Sequence, residues 1–171
     1  MHEIPEKPSI PTSVNDLLIT LKSLDINYTL HHHAPIFTVQ EGLHLKENIP
    51  GIHCRNLFLK DKKEKMFLIT AANETEIDLK SLPERLNCGR LSFASKDRLM
   101  QYLGIYPGAV TPFCAINDRN YNVTIILDKA MMHAETINVH PLDNAQTISV
   151  TPNALLKFFD HTGHKTIICE F

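Results

Sequence analysis

The chain has 171 residues, of which 43% are apolar, and its formal net charge is −2. This length suits a single domain with its own hydrophobic core. The near-neutral charge argues against a strongly basic nucleic-acid-binding protein, so an RNA contact would have to use a local patch. No apolar run approaches the roughly 20 residues that span a bilayer, and the first residues do not resemble a secretory signal. We therefore expect a cytoplasmic protein with no membrane contact.

The predicted elements begin after a proline-rich stretch. Residues 1–12 contain three prolines and few apolar side chains, so we expect a loosely ordered lead-in to one domain over residues 13–171. Ser13 is expected to cap a first helix, and a short strand follows near residues 28–30. Thr38 and Glu41 fit a capping box that opens a second helix, which ends near Glu47.

The rest of the chain alternates between strand and helix patterns. Strands are predicted at residues 56–59, 66–70, 110–116, 123–127, 137–139, 147–150 and 166–169. Helices are predicted at residues 78–86, 96–103 and 151–159. Interleaved helices and strands with antiparallel hairpins indicate an α/β fold of the mixed α+β type.

Several kinds of chemistry lack the residues they need. Glycine-rich nucleotide-binding patterns and the GxSxG nucleophile elbow are absent. The consecutive histidines 31–33 would alternate faces on a strand, so we expect no metal site and no cofactor. The four cysteines are far apart, which favours reduced thiols. Cys54 lies beside Arg55, which could activate a thiol, but a buried inert thiol is the favoured interpretation.

Three segments remain as candidates for a functional site. Residues 104–113 place two glycines and two prolines in a turn that can expose backbone N–H groups to a carbonyl oxygen. Residues 138–144 bring an imidazole and an amide to a strand end, where they can orient a hydroxyl or a water. Residues 60–65 carry four lysines; their charge alone favours a solvated hairpin tip over an RNA contact.

These segments together resemble one family, the free-standing prolyl-tRNA editing proteins of the ProX type, within the YbaK-like superfamily. The similar segments follow in order along the chain: residues 33–39, 50–51, 56–62, 91–94, 104–113, 125–128, 138–144 and 162–164. The resemblance implies a single editing domain with a mixed, largely antiparallel sheet or partial barrel flanked by helices. It also implies binding of the aminoacylated CCA end of tRNA, with prolyl-tRNA synthetase as a further possible partner.

The resemblance also implies an activity and a set of site residues. The family's usual reaction is hydrolysis of alanine misattached to tRNA for proline, without a metal and with help from a ribose hydroxyl of the terminal adenosine. The family's GxxxP loop, which positions the substrate carbonyl, corresponds here to Gly108, Ala109, Val110, Thr111 and Pro112. His140 is implied to line the site, with Asn56, Phe37 and Asn144 as further substrate-binding residues.

One position departs from the family pattern. The family typically has Lys-Asn-Leu-Phe, with a functionally important lysine, whereas this chain has Arg55 before Asn56. Arginine can replace a permanent cation but cannot donate a proton in the same way, so Arg55 is retained as a catalytic candidate. Two alternatives stay open: a non-catalytic binding module for charged tRNA or a synthetase, and a small hydrolase or binder of free aminoacyl metabolites. The amino acid removed and the oligomeric state are not determined by the sequence.

Overall fold

The computed structural model describes residues 7–171 and contains one eight-stranded sheet with helices packed against it. The helices are α1 (Val14–Ser23), α2 (Val39–Asn48), α3 (Leu82–Leu86), α4 (Lys96–Leu103), α5 (Lys129–Met132) and α6 (Pro152–Thr162), with a 3-10 helix at Pro112–Asn117. The strands are β1 (Thr29–His32), β2 (Ile52–Lys60), β3 (Met66–Ala72), β4 (Ser92–Phe93), β5 (Val123–Asp128), β6 (Ile137–Val139), β7 (Gln146–Val150) and β8 (Thr166–Cys169).

The sheet is mixed and open. Its strand order is β1-β7-β6-β2-β3-β5-β8, and β4 pairs separately with β2. The β1–β7, β6–β7, β2–β3 and β2–β4 pairs are antiparallel, whereas the β2–β6, β3–β5 and β5–β8 pairs are parallel. The predicted mixed sheet flanked by helices is therefore confirmed, and the sheet does not close into a barrel.

Two apolar cores lie on opposite faces of the central strands. The larger core joins Phe58 and Leu68 of the sheet to α1, α4, α6 and the 3-10 helix. The smaller core joins Leu59 and Ile69, the neighbouring positions of the same strands, to Leu82 of α3. Because successive side chains of a strand point to opposite faces, β2 and β3 contribute to both cores. This arrangement buries every residue of β3 and gives the site a rigid base.

The helix ends follow the signals in the sequence. Ser13 forms the predicted cap of α1, with its hydroxyl accepting from the Asp16 N–H. Thr38 caps α2 through the Glu41 N–H, although the Glu41 carboxylate accepts from the Phe37 N–H rather than from Thr38 itself. Residues 7–12 form no helix or strand, and Thr12 contacts the protein through a hydrogen bond to Asn117. The remainder of the predicted lead-in, residues 1–6, lies outside the described residues.

Two predicted elements are wrong. The apolar run at residues 110–116 forms a 3-10 helix rather than a strand, since Pro112 has no N–H to donate to a sheet and its ring suits a helix start. The helix predicted at residues 78–86 is shorter and covers only Leu82–Leu86. Pro83 explains this difference because proline is tolerated in the first turn of a helix but not in its interior.

Candidate active site

The loop before the 3-10 helix is built around a tight turn at Gly108. The Ala109 N–H donates to the Tyr106 carbonyl at 3.2 Å, so Tyr106 to Ala109 close a four-residue turn. Gly108 has a φ of 94°, which a residue with a side chain rarely adopts. Gly108 is exposed, and among residues 7–171 its N–H has no hydrogen-bond partner. The turn therefore presents a free backbone donor at the surface.

Asn56 fixes the loop to the sheet. Its Nδ2 donates to the Val110 carbonyl at 2.9 Å, and its Oδ1 accepts from the Thr70 hydroxyl at 2.6 Å. Thr70 is fully buried in β3, which holds the amide in one orientation. Asn56 uses both ends of its amide in this way, so the structure gives it a positioning contact with the loop.

The other predicted loop residues differ in exposure. Ala109, Thr111 and Pro112 are buried, and Val110 is half-buried. Gly108 is thus the most accessible member of the predicted GxxxP segment. The buried positions hold the loop in place, while the glycine provides the donor.

Asn144 joins this loop to the segment after β1. Its Nδ2 donates to the Ile36 carbonyl at 3.3 Å, and a methyl group built on Gly108 would lie 3.7 Å from the same nitrogen. The Oδ1 of Asn144 and the Oγ1 of Thr111 are buried and have no hydrogen-bond partner among residues 7–171. Phe37, one residue beyond Ile36, is 63% exposed. The structure therefore brings Asn144 and Gly108 together, with Phe37 on the accessible side of the neighbouring segment.

His140 is held as a neutral imidazole. Its Nδ1 lies 2.8 Å from the Gln146 carbonyl, which can only accept, so this nitrogen carries the proton and Nε2 keeps its lone pair. Burial lowers the pKa of His140 below its ordinary value, and the nearby His33 acts in the same direction. The Gln146 contact opposes this shift. His140 can accordingly accept a hydrogen bond from a hydroxyl or a water near neutral pH.

His33, which is not among the predicted site residues, is a neighbour of His140. Its ring centroid lies 6.4 Å from that of His140. Its Nδ1 contacts the Ala34 carbonyl and its Nε2 contacts the Thr147 hydroxyl, both at 2.8 Å. The signal in the sequence that could have identified His33 is its place at the start of the first family-like segment, residues 33–39. The run of three histidines does not indicate which one lies near His140.

Arg55 lies apart from this group of residues. Its guanidinium donates to the carbonyls of Ala72, Asn73 and Thr75, at 3.2, 2.7 and 2.6 Å. Since Arg55 and Asn56 are consecutive in β2, their side chains point to opposite faces of the sheet. The structure thus brings Asn56 to the Gly108 loop, whereas it places the Arg55 side chain at the end of β3.

The cysteine considered as a nucleophile lies in an apolar environment. Burial raises the pKa of Cys54 to about 12, and its Sγ lies 3.4 Å from the sulfur of Met131. The thiol therefore stays protonated at neutral pH and is a poor nucleophile. Among residues 7–171, no three side chains of histidine, cysteine, aspartate or glutamate are grouped to bind a metal ion.

The neighbourhood of the loop is also ordered by Asp143. This carboxylate accepts from Lys7, from the Ala145 N–H at 3.1 Å and from the Gln146 side chain at 2.9 Å. Burial would raise the pKa of Asp143, but the contacts with Lys7 and Gln146 outweigh it and lower that pKa. The ionised group therefore holds the turn that carries His140 and Asn144.

No helix in residues 7–171 is long and apolar enough to cross a membrane.

Comparisons with known proteins give matches over most of the chain. Residues 33–158 match the aminoacyl-tRNA editing domain family. The chain is 37% identical over 150 residues to the prolyl-tRNA editing protein ProX of Acetoanaerobium sticklandii, with 86% of this chain and 91% of that protein covered. It is 35% identical over 153 residues to prolyl-tRNA synthetase associated domain-containing protein 1 of Danio rerio, with 88% and 83% covered.

Solved structures share the fold. A crystal structure described as a candidate trans-editing enzyme for prolyl tRNA synthetase superimposes with a TM-score of 0.70 at 16% identity, covering 95% of this chain and 99% of that one. The crystal structure of the hypothetical protein APE2540 gives the same TM-score at 14% identity, covering 89% and 97%. The match to the family profile spans most of the chain and includes the Gly108 loop and His140. The chain belongs to the aminoacyl-tRNA editing domain family.

Proposed function

We propose that this protein is an aminoacyl-tRNA deacylase that hydrolyses mischarged tRNA in trans, with alanine on tRNA for proline as its main substrate. Membership of the editing family and the similarity to the protein named ProX support this assignment. The observation that carries it is the exposed Gly108 turn, whose unpaired N–H is fixed to the sheet through Asn56. A rigid, unpaired backbone donor is suited to an ester carbonyl oxygen that gains negative charge.

In the proposed reaction, the Gly108 N–H donates to the carbonyl oxygen of the aminoacyl ester. A water oxygen attacks the carbonyl carbon, the bond to the ribose oxygen breaks, and the ribose hydroxyl and the free amino acid are released. The free hydroxyl beside the ester on the terminal ribose helps to orient the water. The Nε2 lone pair of His140 accepts a hydrogen bond from this hydroxyl or from the water. This scheme requires only the chain and the substrate.

Selectivity for a small amino acid follows from pocket size. A space that admits a methyl group and excludes a pyrrolidine ring removes alanine while sparing the correct prolyl ester. Ile36, whose carbonyl accepts from Asn144, and its exposed neighbour Phe37 are the proposed walls of this space.

The contacts of Arg55 refine its proposed role. Because its donors are engaged by three backbone carbonyls, we propose that Arg55 supports the site by stabilising the end of β3. The competing function, a binding module without catalysis, was suggested by the arginine at this position. It predicts that changing Arg55 to lysine creates an activity that the natural chain lacks.

The experiment is a multiple-turnover assay with catalytic amounts of the protein. Alanyl-tRNA for proline should be hydrolysed well above its spontaneous rate, whereas prolyl-tRNA should be spared. The hydrolysis rates of cysteine and other small amino acids attached to the same tRNA show which side chains the pocket admits. Affinity for charged tRNA without turnover, in a protein with an intact thermal unfolding transition, would support the binding module instead.

A further inference from the structure

A group of cations lies at the far end of the β2–β3 hairpin from the Gly108 loop. We define the hairpin-tip patch as Lys62, Lys63, Arg90 and Lys96, all of which are exposed. The hairpin turn supplies the two lysines, the segment after α3 supplies Arg90, and the first residue of α4 supplies Lys96. Contacts of the hairpin turn with the segment after α3 and with α4 place cations that are separated by up to 34 positions at the same end of the hairpin.

The acidic residues of the turn are engaged in contacts inside it. Asp61 is buried, and its carboxylate accepts from the N–H groups of Lys63, Lys65 and Gly89 at 2.8, 2.9 and 3.1 Å. Burial opposes ionisation, but these three backbone donors lower the pKa of Asp61, so it remains an anion. Because the Asp61 carboxylate accepts from N–H groups of both segments, it holds the turn and the segment after α3 in one rigid unit.

Glu64, the other acidic residue of the turn, is also engaged. Its oxygens accept from Arg98 at 2.8 and 2.9 Å, and Lys60 lies 3.5 Å away. Within residues 7–171, none of the four patch cations forms a salt bridge. The turn thus neutralises its own anions and leaves the patch cations available to an external anion.

An aromatic side chain accompanies the patch. Phe93 is 62% exposed and lies on β4, where Leu59 is its strand partner and Ser92 pairs with Lys60. Exposed cations beside an exposed aromatic ring are the combination that binds single-stranded nucleic acid, through phosphates and base stacking respectively. A protein with a net charge of −2 needs such a local surface to bind a polyanion.

The distance from the Gly108 loop fits one RNA substrate contacting both places. Asn56, which holds the loop, is four residues along β2 from Lys60, or about 13 Å at the rise of a strand. Lys62 and Lys63, which follow Lys60, therefore lie further than this from the loop and would meet phosphates upstream of the terminal adenosine. We propose that the hairpin-tip patch binds the RNA phosphates upstream of the charged 3′ end, an inference that rests on the proposed deacylase function.

The test compares two triple variants of equal charge change. One carries Lys62→Gln, Lys63→Gln and Arg90→Gln. The control carries glutamine at three exposed lysines of other elements, Lys22, Lys157 and Lys165, and none of these forms a salt bridge within residues 7–171. Affinity for uncharged tRNA is measured between 50 and 200 mM salt, which reports binding independently of hydrolysis.

We expect the patch variant to bind at least 10-fold more weakly at the lower salt. Its slope of log Kd against log salt should also fall by about two, because each lost phosphate contact removes roughly 0.7 to 0.9 from the slope. Phe93→Ala should weaken binding without changing the slope. Hydrolysis of an aminoacyl adenosine, which lacks upstream phosphates, should be unchanged in every variant.

Equal weakening in the patch and control variants, or an unchanged salt slope in the patch variant, would overturn the proposal. Binding to vesicles containing anionic lipid that depends on the patch while tRNA affinity does not would assign the surface to a membrane instead, and would also overturn it. A wild-type protein that binds tRNA through the patch but hydrolyses no ester would refute the deacylase function separately.

Discussion

Removing the Asn56 amide donor should release the Gly108 loop without unfolding the protein. In Asn56→Asp, one carboxylate oxygen still accepts from Thr70, but the other faces the Val110 carbonyl, where Nδ2 now donates at 2.9 Å. The lost hydrogen bond and the unpaired Val110 carbonyl together cost about 1–3 kcal/mol, which is below the 5–15 kcal/mol stability of a typical domain. Repulsion between the new carboxylate oxygen and this carbonyl also pushes the loop away from the sheet. We expect kcat/KM for the mischarged ester to fall at least 10-fold, because a displaced donor loses at least the roughly 1.4 kcal/mol of transition-state stabilisation that corresponds to a factor of ten in rate.

The matched control is Thr70→Val, which removes the hydroxyl but keeps the side-chain shape. It leaves the bond from Asn56 to Val110 in place, so we expect kcat/KM within about threefold of wild type and a loss of about 1–2 kcal/mol in unfolding free energy. Single-turnover hydrolysis and urea unfolding measure the two quantities. If Asn56→Asp keeps the wild-type rate, or Thr70→Val is impaired as strongly, the loop does not depend on this contact for its function.

Three further predictions concern other contacts. Burial lowers the pKa of His140, so the rate of hydrolysis should decline as the pH falls through that pKa, and His140→Ala should be slow at every pH. Because of the same shift, the unfolded state binds more protons than the folded state, so the contribution of His140 to stability is lost on acidification. Arg55→Lys should lower the thermal unfolding midpoint, because one ammonium replaces three guanidinium contacts, and a gain of activity would contradict this assignment. Asp118→Asn should lower the free energy of unfolding in urea by about 2–4 kcal/mol, since buried Asp118 accepts from His164 and from two backbone N–H groups. Burial opposes the ionisation of Asp118, but these contacts lower its pKa. The stabilisation is therefore complete above the unfolded pKa near 4 and is lost as the pH falls through the folded pKa.

Much of the fold could be predicted because its signals are local. The caps at Ser13 and Thr151, the glycine after α4 and the apolar runs in β2 and β3 depend on neighbouring residues only. The run at residues 110–116 was misassigned because a short buried apolar segment has the same composition in a strand and in a 3-10 helix. Strand order was not predictable, since it depends on pairings between distant segments.

In the site, too, local features could be predicted and contacts between distant segments could not. The Gly108 turn could be predicted from its prolines and glycines, whose backbone preferences belong to the residues themselves. The contact from Asn56 to Val110 spans 54 positions, and the direction of Arg55 depends on which strand face meets which core. These features require the register of β2 against β3, which the sequence pattern does not determine.

The central claim is that the Gly108 N–H holds the ester carbonyl, and a single-turnover rate tests it. Gly108→Ala strains a residue with a φ of 94° but meets only Asn144 at 3.7 Å, so it should shift the donor while the protein stays folded. Gly163→Ala is the control for backbone strain, with a φ of 84° at the end of α6; its methyl group would also lie 2.9 Å from the Tyr121 hydroxyl, whose exposed side chain has room to move aside. The account predicts that hydrolysis of alanyl-tRNA for proline falls about 100-fold in the first variant, as for a lost oxyanion donor, and less than threefold in the second. Equal rates in Gly108→Ala and wild type, with tRNA affinity unchanged, would contradict it.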